Sequence, residues 1–243
     1  MRSLKIALLG YGKMGKEIEQ LALAKNYSII AKIDNAGDWD AQFQLVKQAD
    51  VAIDFSMPTS VKENILKCFE LQIPLVVGTT GWYDDLGEIE LICRKKQASF
   101  LWAGNFSIGM NIFLKVNAYL AEIMAKFPDY TAQIHEIHHN QKLDAPSGTA
   151  ISIANSMIGK NDRLQRWALV ENTSDIQSDV LPISYERIGK VPGTHQVSYR
   201  SAIDEISIQH EAKNRKGFAL GAVSAAEWLV GKTGFFTMSD VLS

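Results

Sequence analysis

Short apolar runs alternate with amphipathic stretches along the first hundred residues. Each apolar run ends in a polar or glycine-rich turn, and the runs occupy positions 4–9, 27–33, 50–55, 74–77 and 100–103. Helices are predicted over 16–24, where apolar residues have helical spacing, from after residue 60 to about 71, and from about 84 to 96. Repeated strand–helix units of this kind predict a doubly wound parallel sheet with helices on both faces. Ligands of such sheets bind beyond the carboxyl ends of the strands.

The pattern changes after residue 107. An amphipathic run over 112–126 predicts a long helix that Pro128 ends. The remaining elements are predicted as strands over 130–138, 185–189, 195–203 and 206–211, a helix from 147 to 159, and a less regular stretch over 164–196. They indicate a second α+β domain with an open mixed or antiparallel sheet and helices on one face.

The chain is predicted to divide into two domains. A helix over 217–231 is expected to return to the first domain. Residues 1–107 and 217–243 would then form the first domain, and residues 108–216 would form the second.

The first turn has the G-x-G-x-x-G spacing of a dinucleotide-binding loop, in Gly10-Tyr11-Gly12-Lys13-Met14-Gly15. Gly10 permits a tight turn, Gly12 lets the backbone approach a pyrophosphate, and Gly15 lets helix and strand pack closely. Asp34 closes the second run, where a carboxylate would bind the ribose hydroxyls of NAD. Glycine turns are common, but this loop lies between a strand and a helix. The first domain is therefore predicted to be a Rossmann-like dinucleotide-binding domain.

Asp34 also bears on the choice between the two nicotinamide cofactors. Its carboxylate would repel a 2′-phosphate, and Asn35 offers no cation to hold one. Lys13 and Lys32 are near in sequence and could compensate. We expect NADH to serve at least as well as NADPH.

The turns after the later runs are predicted to line the same crevice. The cofactor-binding candidates there are Gly78, Thr79, Thr80, Ala103, Gly104, Asn105 and Phe106. The threonines could equally be ordinary turn residues.

The stretch from Glu136 to Ala150, EIHHNQKLDAPSGTA, concentrates the polar chemistry of the second half. It leaves a strand, presents His138, His139 and Lys142, and begins a helix at Ser147-Gly148-Thr149. The start of a helix has unpaired backbone N–H groups, which suit a carboxylate or a phosphate. A satisfied polar cluster at a strand end is the alternative for either histidine alone. The combination of imidazoles, ammonium and helix start favours a functional site.

The run from His135 to His139 also matches H-E-x-x-H, the zinc-peptidase signature. That motif requires a helix, where the two histidines share a face. On a strand, residues four apart lie roughly 13 Å apart, too far to bind one ion. We therefore predict no metal.

Composition excludes several classes of protein. The 243 residues are 47% hydrophobic and 21% charged, and a net charge of −2 gives no electrostatic case for nucleic acid or an anionic membrane. No apolar run approaches the roughly 18 residues of a membrane span, and the N-terminus has no signal-peptide pattern. Cys68 and Cys93 have no metal-like spacing, so we expect reduced core residues in a cytoplasmic protein.

The sequence resembles the dihydrodipicolinate reductase family over essentially its whole length. The most specific match is the family's E-x-H-H-x-x-K-x-D-A-P-S-G-T-A motif, which is present without a gap from Glu136 to Ala150. The segments 78–81, 105–107 and 235–242 are similar to other characteristic segments of the family. Two departures are a first glycine loop one residue shorter than the common form, and Asn140-Gln141 where the family often has Arg-His.

The resemblance implies NAD(P)H-dependent reduction of 4-hydroxy-tetrahydrodipicolinate, a cyclic imine dicarboxylate, to tetrahydrodipicolinate in the diaminopimelate route to lysine. Hydride delivery pushes electron density towards the ring nitrogen, which then needs an acid or a cation beside it. The family's pattern makes His138 the acid, and Lys142 stabilises the charge or shares the proton donation. The resemblance also implies that His139 binds the substrate and that Ser147, Gly148 and Thr149 bind one of the substrate's carboxylates. It also implies that the second domain builds a homotetramer.

Two alternatives remain open. Another two-domain NAD(P)-dependent amino-acid or semialdehyde dehydrogenase would share the first domain, although the semialdehyde type needs a catalytic cysteine in a loop. A non-catalytic NAD-binding protein would keep the glycine loop, but it has no need for the cluster of His138, His139 and Lys142.

Overall fold

A computed structural model of the chain describes residues 3–170, 177–214 and 216–243. The chain divides into two compact units, a first unit of Met1–Ile108 with Lys216–Ser243 and a second unit of Gly109–Arg215. The strands are β1 (Lys5–Leu9), β2 (Ser28–Ile33), β3 (Val51–Asp54), β4 (Leu75–Val77), β5 (Ser99–Trp102), β6 (Thr131–His138), β7 (Arg166–Leu169), β8 (Val180–Arg187), β9 (Thr194–Arg200), β10 (Glu205–Glu211) and β11 (Gly234–Thr237). The helices are α1 (Lys13–Ala24), α2 (Ala36–Val46), α3 (Val61–Glu70), α4 (Leu86–Lys96), α5 (Ile108–Met124), α6 (Gly148–Ile158), α7 (Lys216–Leu229) and α8 (Met238–Val241).

The first unit is built on a six-stranded sheet in the order β11-β5-β4-β3-β1-β2, with every neighbouring pair parallel. Successive side chains of a strand point to opposite faces. Ala7 and Leu9 therefore pack into one apolar cluster with α2, α3 and α4. Ile6 and Leu8 pack into a second cluster with α1 and α7. The prediction of a parallel sheet with helices on both faces is confirmed.

Helix α7 packs closely on the first unit because its buried residues are mostly small. Ala219, Ala222, Ala225 and Ala226 are fully buried. A Cβ on Gly221 would lie 1.7 Å from the Phe106 carbonyl oxygen, so only glycine fits there. The chain then adds β11 beside β5, a strand that the sequence pattern did not predict.

The second unit contains a five-stranded mixed sheet in the order β10-β9-β6-β8-β7. The pairs β10/β9 and β9/β6 are antiparallel, whereas β6/β8 and β8/β7 are parallel. Helices α5 and α6 bury Phe113, Ile153 and Met157 against one face of this sheet. The predicted mixed sheet with helices on one face is confirmed.

Several element boundaries differ from the sequence-based expectation. Helices α1 and α5 begin at Lys13 and Ile108, three or four residues before the predicted starts, and α2 was not predicted. The stretch expected to be irregular contains β7 and the first half of β8. Pro182 lies inside β8, opposite Ala168 of β7 and one residue before pairing between β8 and β6 begins at Ile183. Residues 171–176 of that stretch lie outside the described residues.

The strands expected over 195–203 and 206–211, with a hairpin junction expected at Asp204-Glu205, form a hairpin as β9 and β10, but its turn begins at Ser201. Ser201 ends the β9 side, and its hydroxyl accepts hydrogen bonds from the backbone N–H groups of Ile203 and Asp204, each at 3.1 Å. Among the helices that the structure describes, none has the length and apolar character needed to cross a membrane.

Candidate active site

The glycine loop of the first unit joins β1 to α1 in a conformation that requires glycine at two positions. Gly10 has a φ of +88°, and a Cβ there would lie 2.3 Å from the Phe55 carbonyl oxygen. A Cβ on Gly15 would lie 2.4 Å from the Gly10 carbonyl oxygen. Gly12, the N-cap of α1, faces open space. The loop therefore exposes the start of a helix, the arrangement that binds phosphate groups.

A cavity of about 390 Å³ opens beyond the carboxyl ends of β1, β3 and β4. Its lining residues are Gly12, Lys13, Met14, Phe55, Ser56, Pro58, Gly78, Thr79 and Thr80. Gly78 lies so close to the Phe55 ring that a Cβ would come within 2.2 Å of it. The structure thus brings together two predicted cofactor-binding segments that are more than sixty residues apart in sequence.

Asp34 follows β2 and is tied to the glycine loop. Its carboxylate accepts a hydrogen bond from the Tyr11 backbone N–H at 2.9 Å. Asp34 also lines a smaller cavity of about 130 Å³ together with Asn35 and Glu63. The described residues that line this cavity include no lysine or arginine.

The two lysines that could offset the charge of Asp34 have different surroundings. The Lys32 ammonium lies 2.7 Å from Glu19 Oε1 and donates to the Tyr11 hydroxyl at 3.0 Å, so its charge is already paired. Lys13 lines the larger cavity. Of these two lysines, Lys13 is the one at the cavity where phosphate groups would bind.

The candidates after β5 do not line either of these cavities in the described part of the chain. Phe106 is buried in the apolar core, 5.8 Å from the Phe55 ring centre, so its side chain has a packing role. Asn105 Oδ1 accepts a hydrogen bond from the Ser107 backbone N–H at 2.8 Å. A Cβ on Gly104 would lie 3.1 Å from the Tyr83 hydroxyl. Ala103 donates its backbone N–H to the Val77 carbonyl at 3.1 Å.

Asp54, at the end of β3, organises the crevice and was not identified from the sequence. Its fully buried carboxylate accepts hydrogen bonds from the Ser56 backbone and hydroxyl (2.9 and 2.7 Å), the Thr79 hydroxyl (2.7 Å) and the Asn64 amide (2.8 Å). Burial raises the pKa of Asp54, although each of these donors acts in the opposite direction. One carboxylate therefore fixes the turns after β3 and β4.

The polar cluster of the second unit lies where β6 ends and α6 begins. Ile134, Glu136 and His138 alternate along β6 and share its buried face. Glu136 is completely buried and accepts hydrogen bonds from the Ser147 backbone N–H and from Arg187 Nη2, each at 3.2 Å. Glu136 Oε2 also lies 3.5 Å from His138 Nδ1.

The start of α6 is arranged as the sequence predicted. Ser147 is the N-cap, and its hydroxyl accepts a hydrogen bond from the Ala150 backbone N–H at 3.1 Å. No described residue accepts a hydrogen bond from the backbone N–H of Gly148 or Thr149. A Cβ on Gly148 would meet nothing within 4 Å. Two donors are thus available for an anion.

Lys142 lies in the loop after β6, and its ammonium donates to both carboxylate oxygens of Asp144 at 2.7 Å. This contact holds the pKa of Asp144 below its usual range. Arg187 supports the same loop by donating to the Asp144 carbonyl at 2.7 Å. His139 directly follows β6.

Two imidazoles are buried beside Glu136. The His138 and His195 rings are edge to face with centres 5.1 Å apart, and Ser147 Oγ lies 3.2 Å from His195 Nε2. Burial lowers the pKa of His195 to about 3, which makes it a neutral group. Burial also lowers the pKa of His138, with Glu136 acting in the opposite direction. No sequence signal points to His195 or Arg187, which are distant from the motif, whereas Glu136 lies inside it.

The H-E-x-x-H run lies on a strand as far as His138, as predicted, and not on a helix. His135 Nδ1 lies 2.9 Å from the Ser184 hydroxyl. Glu136, His138 and His195 place one potential ligand atom each within 4.8 Å of one another. Arg187 and the Ser147 N–H already bind the Glu136 carboxylate, and a cation beside Arg187 would be repelled. We assign no metal to this group.

The parallel sheet with its glycine loop, together with the polar cluster of the second unit, defines the class of two-domain nicotinamide-dependent oxidoreductases. The N-terminal part of dihydrodipicolinate reductase matches residues 4–106, and its C-terminal part matches residues 109–242. The chain therefore belongs to the dihydrodipicolinate reductase family, whose reaction lies in lysine biosynthesis. It is an NAD(P)H-dependent oxidoreductase.

Individual relatives agree with this assignment. The 4-hydroxy-tetrahydrodipicolinate reductase of Christiangramia forsetii is 48% identical, over 99% of this chain and 98% of its own. The enzyme of the same name from Neisseria meningitidis serogroup C is 32% identical, over 100% of this chain and 98% of its own. A solved structure of a dipicolinate-bound dihydrodipicolinate reductase from Paenisporosarcina sp. TG-14 has the same fold, with a TM-score of 0.80, 22% identity, and coverage of 98% of this chain and 99% of its own.

Proposed function

We propose that this reductase acts on 4-hydroxy-tetrahydrodipicolinate, with the dinucleotide held by the first unit and the cyclic dicarboxylate held at the start of α6. The main support is the arrangement of residues 136–150, because one segment places His138, Lys142 and two free backbone donors at one end of β6. The relatives named for this reaction match over nearly the full chain.

The first unit suits a dinucleotide. Gly10 and Gly15 leave no room for a Cβ, Gly12 leaves open space at the start of α1, and Asp34 is oriented by the Tyr11 N–H. NAD(P)H supplies a hydride. The lining of the Asp34 cavity, with its carboxylates and without a lysine or arginine among the described residues, supports NADH as at least equal to NADPH.

The second unit suits the proton transfer and the anion. The N–H groups of Gly148 and Thr149 would bind one substrate carboxylate, with Ser147 fixing the first turn of α6. His139 would contact the same substrate. His138 would donate the proton to the ring nitrogen, and the Lys142 ammonium would stabilise the charge that develops there.

The assembly and the location of the protein belong to the same proposal. We expect a homotetramer built by the second unit, whose sheet carries exposed large apolar side chains such as Tyr185 and Ile206. We expect a cytoplasmic protein, because Cys68 and Cys93 are free and buried. Light scattering of the purified protein would test the tetramer.

The function is tested by following NADH oxidation with freshly generated cyclic imine, made from pyruvate and aspartate semialdehyde. We expect turnover that depends on both precursors and competition by pyridine-2,6-dicarboxylate. Amino acids with NAD⁺ serve as the comparison. Oxidation of an amino acid without imine reduction would instead favour an amino-acid dehydrogenase.

A further inference from the structure

The Glu136 carboxylate faces donors on all sides in the second unit. One side is occupied by Arg187 Nη2, which donates to Oε1 at 3.2 Å, and by the Ser147 backbone N–H. These two contacts bring hydrogen-bond donors to a carboxylate that is completely buried. The other oxygen, Oε2, shares the Ser147 N–H at 3.2 Å and also faces two imidazoles, with His138 Nδ1 at 3.5 Å and His195 Nε2 at 3.7 Å.

The two imidazoles are not equivalent partners for this oxygen. His195 Nε2 already lies 3.2 Å from the Ser147 hydroxyl, and His195 is neutral because of its burial. His138 Nδ1 is buried and has no hydrogen-bond partner among the described residues. A buried ring nitrogen that lies 3.5 Å from a carboxylate oxygen is better satisfied when it carries a proton, so Glu136 favours the Nδ1–H form of His138.

This orientation assigns Nε2 of His138 to the substrate side. A Cβ on Gly193 would lie 3.1 Å from His138 Nε2, so the absence of a side chain at Gly193 keeps that nitrogen uncovered. Gly193 has a φ of +158°, which also favours glycine. A second proton, on Nε2, makes His138 an imidazolium with its donor directed away from Glu136.

We propose that Glu136 is a positioning residue for the reduction: it orients His138 through Nδ1 and stabilises the imidazolium that delivers a proton from Nε2. This inference rests on the acid role proposed for His138. The role of Glu136 is electrostatic and orienting, since its carboxylate is buried beneath the imidazole.

The charges around His138 make the consequence testable. Lys142 and His139 face it from the loop after β6, Arg187 from β8, the neutral His195 from β9, and Glu136 from β6 itself. Burial, Lys142, Arg187 and His139 all lower the pKa of His138, and Glu136 is the group that raises it. Without the Glu136 charge, His138 would lose its proton at a lower pH.

The test is the pH profile of kcat for Glu136→Gln, which keeps the shape and can still accept from the Ser147 N–H. We expect kcat at neutral pH to fall at least about tenfold, and its alkaline limb to move to lower pH, while KM for the imine changes less. In a His138→Gln background, Glu136→Gln should add little, because the two residues act as one unit.

Two outcomes would overturn the inference. One is an unshifted alkaline limb in Glu136→Gln, and the other is a full additional loss in the His138→Gln background, as a purely structural residue would give. If Glu136→Gln does not fold, ¹⁵N NMR of the neutral His138 ring in the parent protein, recorded at alkaline pH, decides: the proton is expected on Nδ1, and a proton on Nε2 alone would contradict the inference. Parental turnover in His138→Gln would instead remove the acid role from the proposed function.

Discussion

The Thr79 hydroxyl donates a hydrogen bond of 2.7 Å to the buried carboxylate of Asp54. This bond links the turn after β4 to the end of β3, and Ser56 and Asn64 bind the same carboxylate. Thr79 was predicted as a cofactor contact, and it does line the crevice. The Thr79 hydroxyl, however, already donates its hydrogen bond to Asp54. The shape of the crevice therefore depends on Asp54.

Replacing Asp54 with Asn should therefore weaken cofactor binding. The amide that replaces the carboxylate would place its N–H₂ group against the donors that now bind Asp54. Leaving a buried polar group unpaired costs about 1–3 kcal/mol. We expect KM for NADH to rise roughly tenfold or more, with a smaller change in kcat. Initial rates at varied NADH concentrations measure this. Asp50→Asn, next to the amino end of the same strand, is the matched control, and an equal effect there would contradict the special position of Asp54.

Cofactor choice is predicted to depend on Asp34. Its carboxylate lies at the small cavity without a lysine or arginine among the described lining residues, and Lys32 is paired with Glu19. We expect the parent protein to use NADH at least as well as NADPH. Asp34→Ser should improve the ratio of NADPH to NADH efficiency at least about tenfold, or about 1.4 kcal/mol, because it removes the repulsion of a 2′-phosphate.

The control for the cofactor experiment is Asp40→Asn, which removes one exposed carboxylate from α2 outside the lining of both cavities. It should leave the ratio of the two efficiencies unchanged. A strong NADPH preference in the parent protein would defeat the argument from Asp34.

The fold was largely predictable because its signals are local and repeated. Apolar runs ending in glycine or polar turns mark β1 to β5, and alternation along 131–138 marks β6. Strand β7 and the start of β8 were missed because Pro182 and the polar turns around it outweigh a short strand signal. Strand β7 is held in the sheet by pairing with β8, and β8 is held by pairing with β6 from Ile183 onward and by burial of Leu181 and Ile183.

The site was predictable only where its residues are consecutive. One segment contains His138, Lys142 and Ser147, so a single motif identifies all three. Arg187 and His195 reach Glu136 from β8 and β9 through sheet pairing. No spacing rule links positions that meet only through the register of three strands. Asp54 was missed for a related reason, since an acidic residue at a strand end resembles an ordinary turn residue.

Proton delivery is predicted to need both His138 and Lys142. Replacing His138 with Gln, or Lys142 with Met, should lower turnover by roughly 10²-fold, the usual loss when an acid catalyst is removed. Imine-dependent NADH oxidation at saturating substrate measures it. Lys160→Met, which removes an exposed lysine of the same unit paired with Glu122, should keep parental turnover. Parental rates in both active-site variants would exclude them from the proton transfer.

Stability is predicted to fall in mild acid because of His195. Its folded pKa of about 3 lies below the ordinary value of 6.5, so the unfolded chain binds the extra proton. The contribution of neutral His195 to the free energy of unfolding is fully present above about pH 6.5. It decreases by about 1.4 kcal/mol per pH unit as the pH falls from 6.5 towards 3. Urea unfolding at pH 7, 6 and 5 measures the slope. His195→Asn should flatten it, and an unchanged slope would contradict the assignment to His195.

The carboxylate site at α6 can be tested by removing a single backbone donor. Gly148 is the first residue of α6, where proline is tolerated, and Ser147 has the extended conformation (φ −66°, ψ 155°) that a following proline requires. Gly148→Pro therefore deletes one N–H while keeping the helix. Gly148→Ala keeps the N–H, and its Cβ would meet nothing within 4 Å. We expect Gly148→Pro to raise the inhibition constant of pyridine-2,6-dicarboxylate and KM for the imine about tenfold, since a hydrogen bond to a charged group is worth about 1.5–3 kcal/mol.

Gly148→Ala should bind like the parent, with thermal unfolding showing that both variants are folded. Equal binding by the proline and alanine variants would show that the start of α6 does not hold the carboxylate.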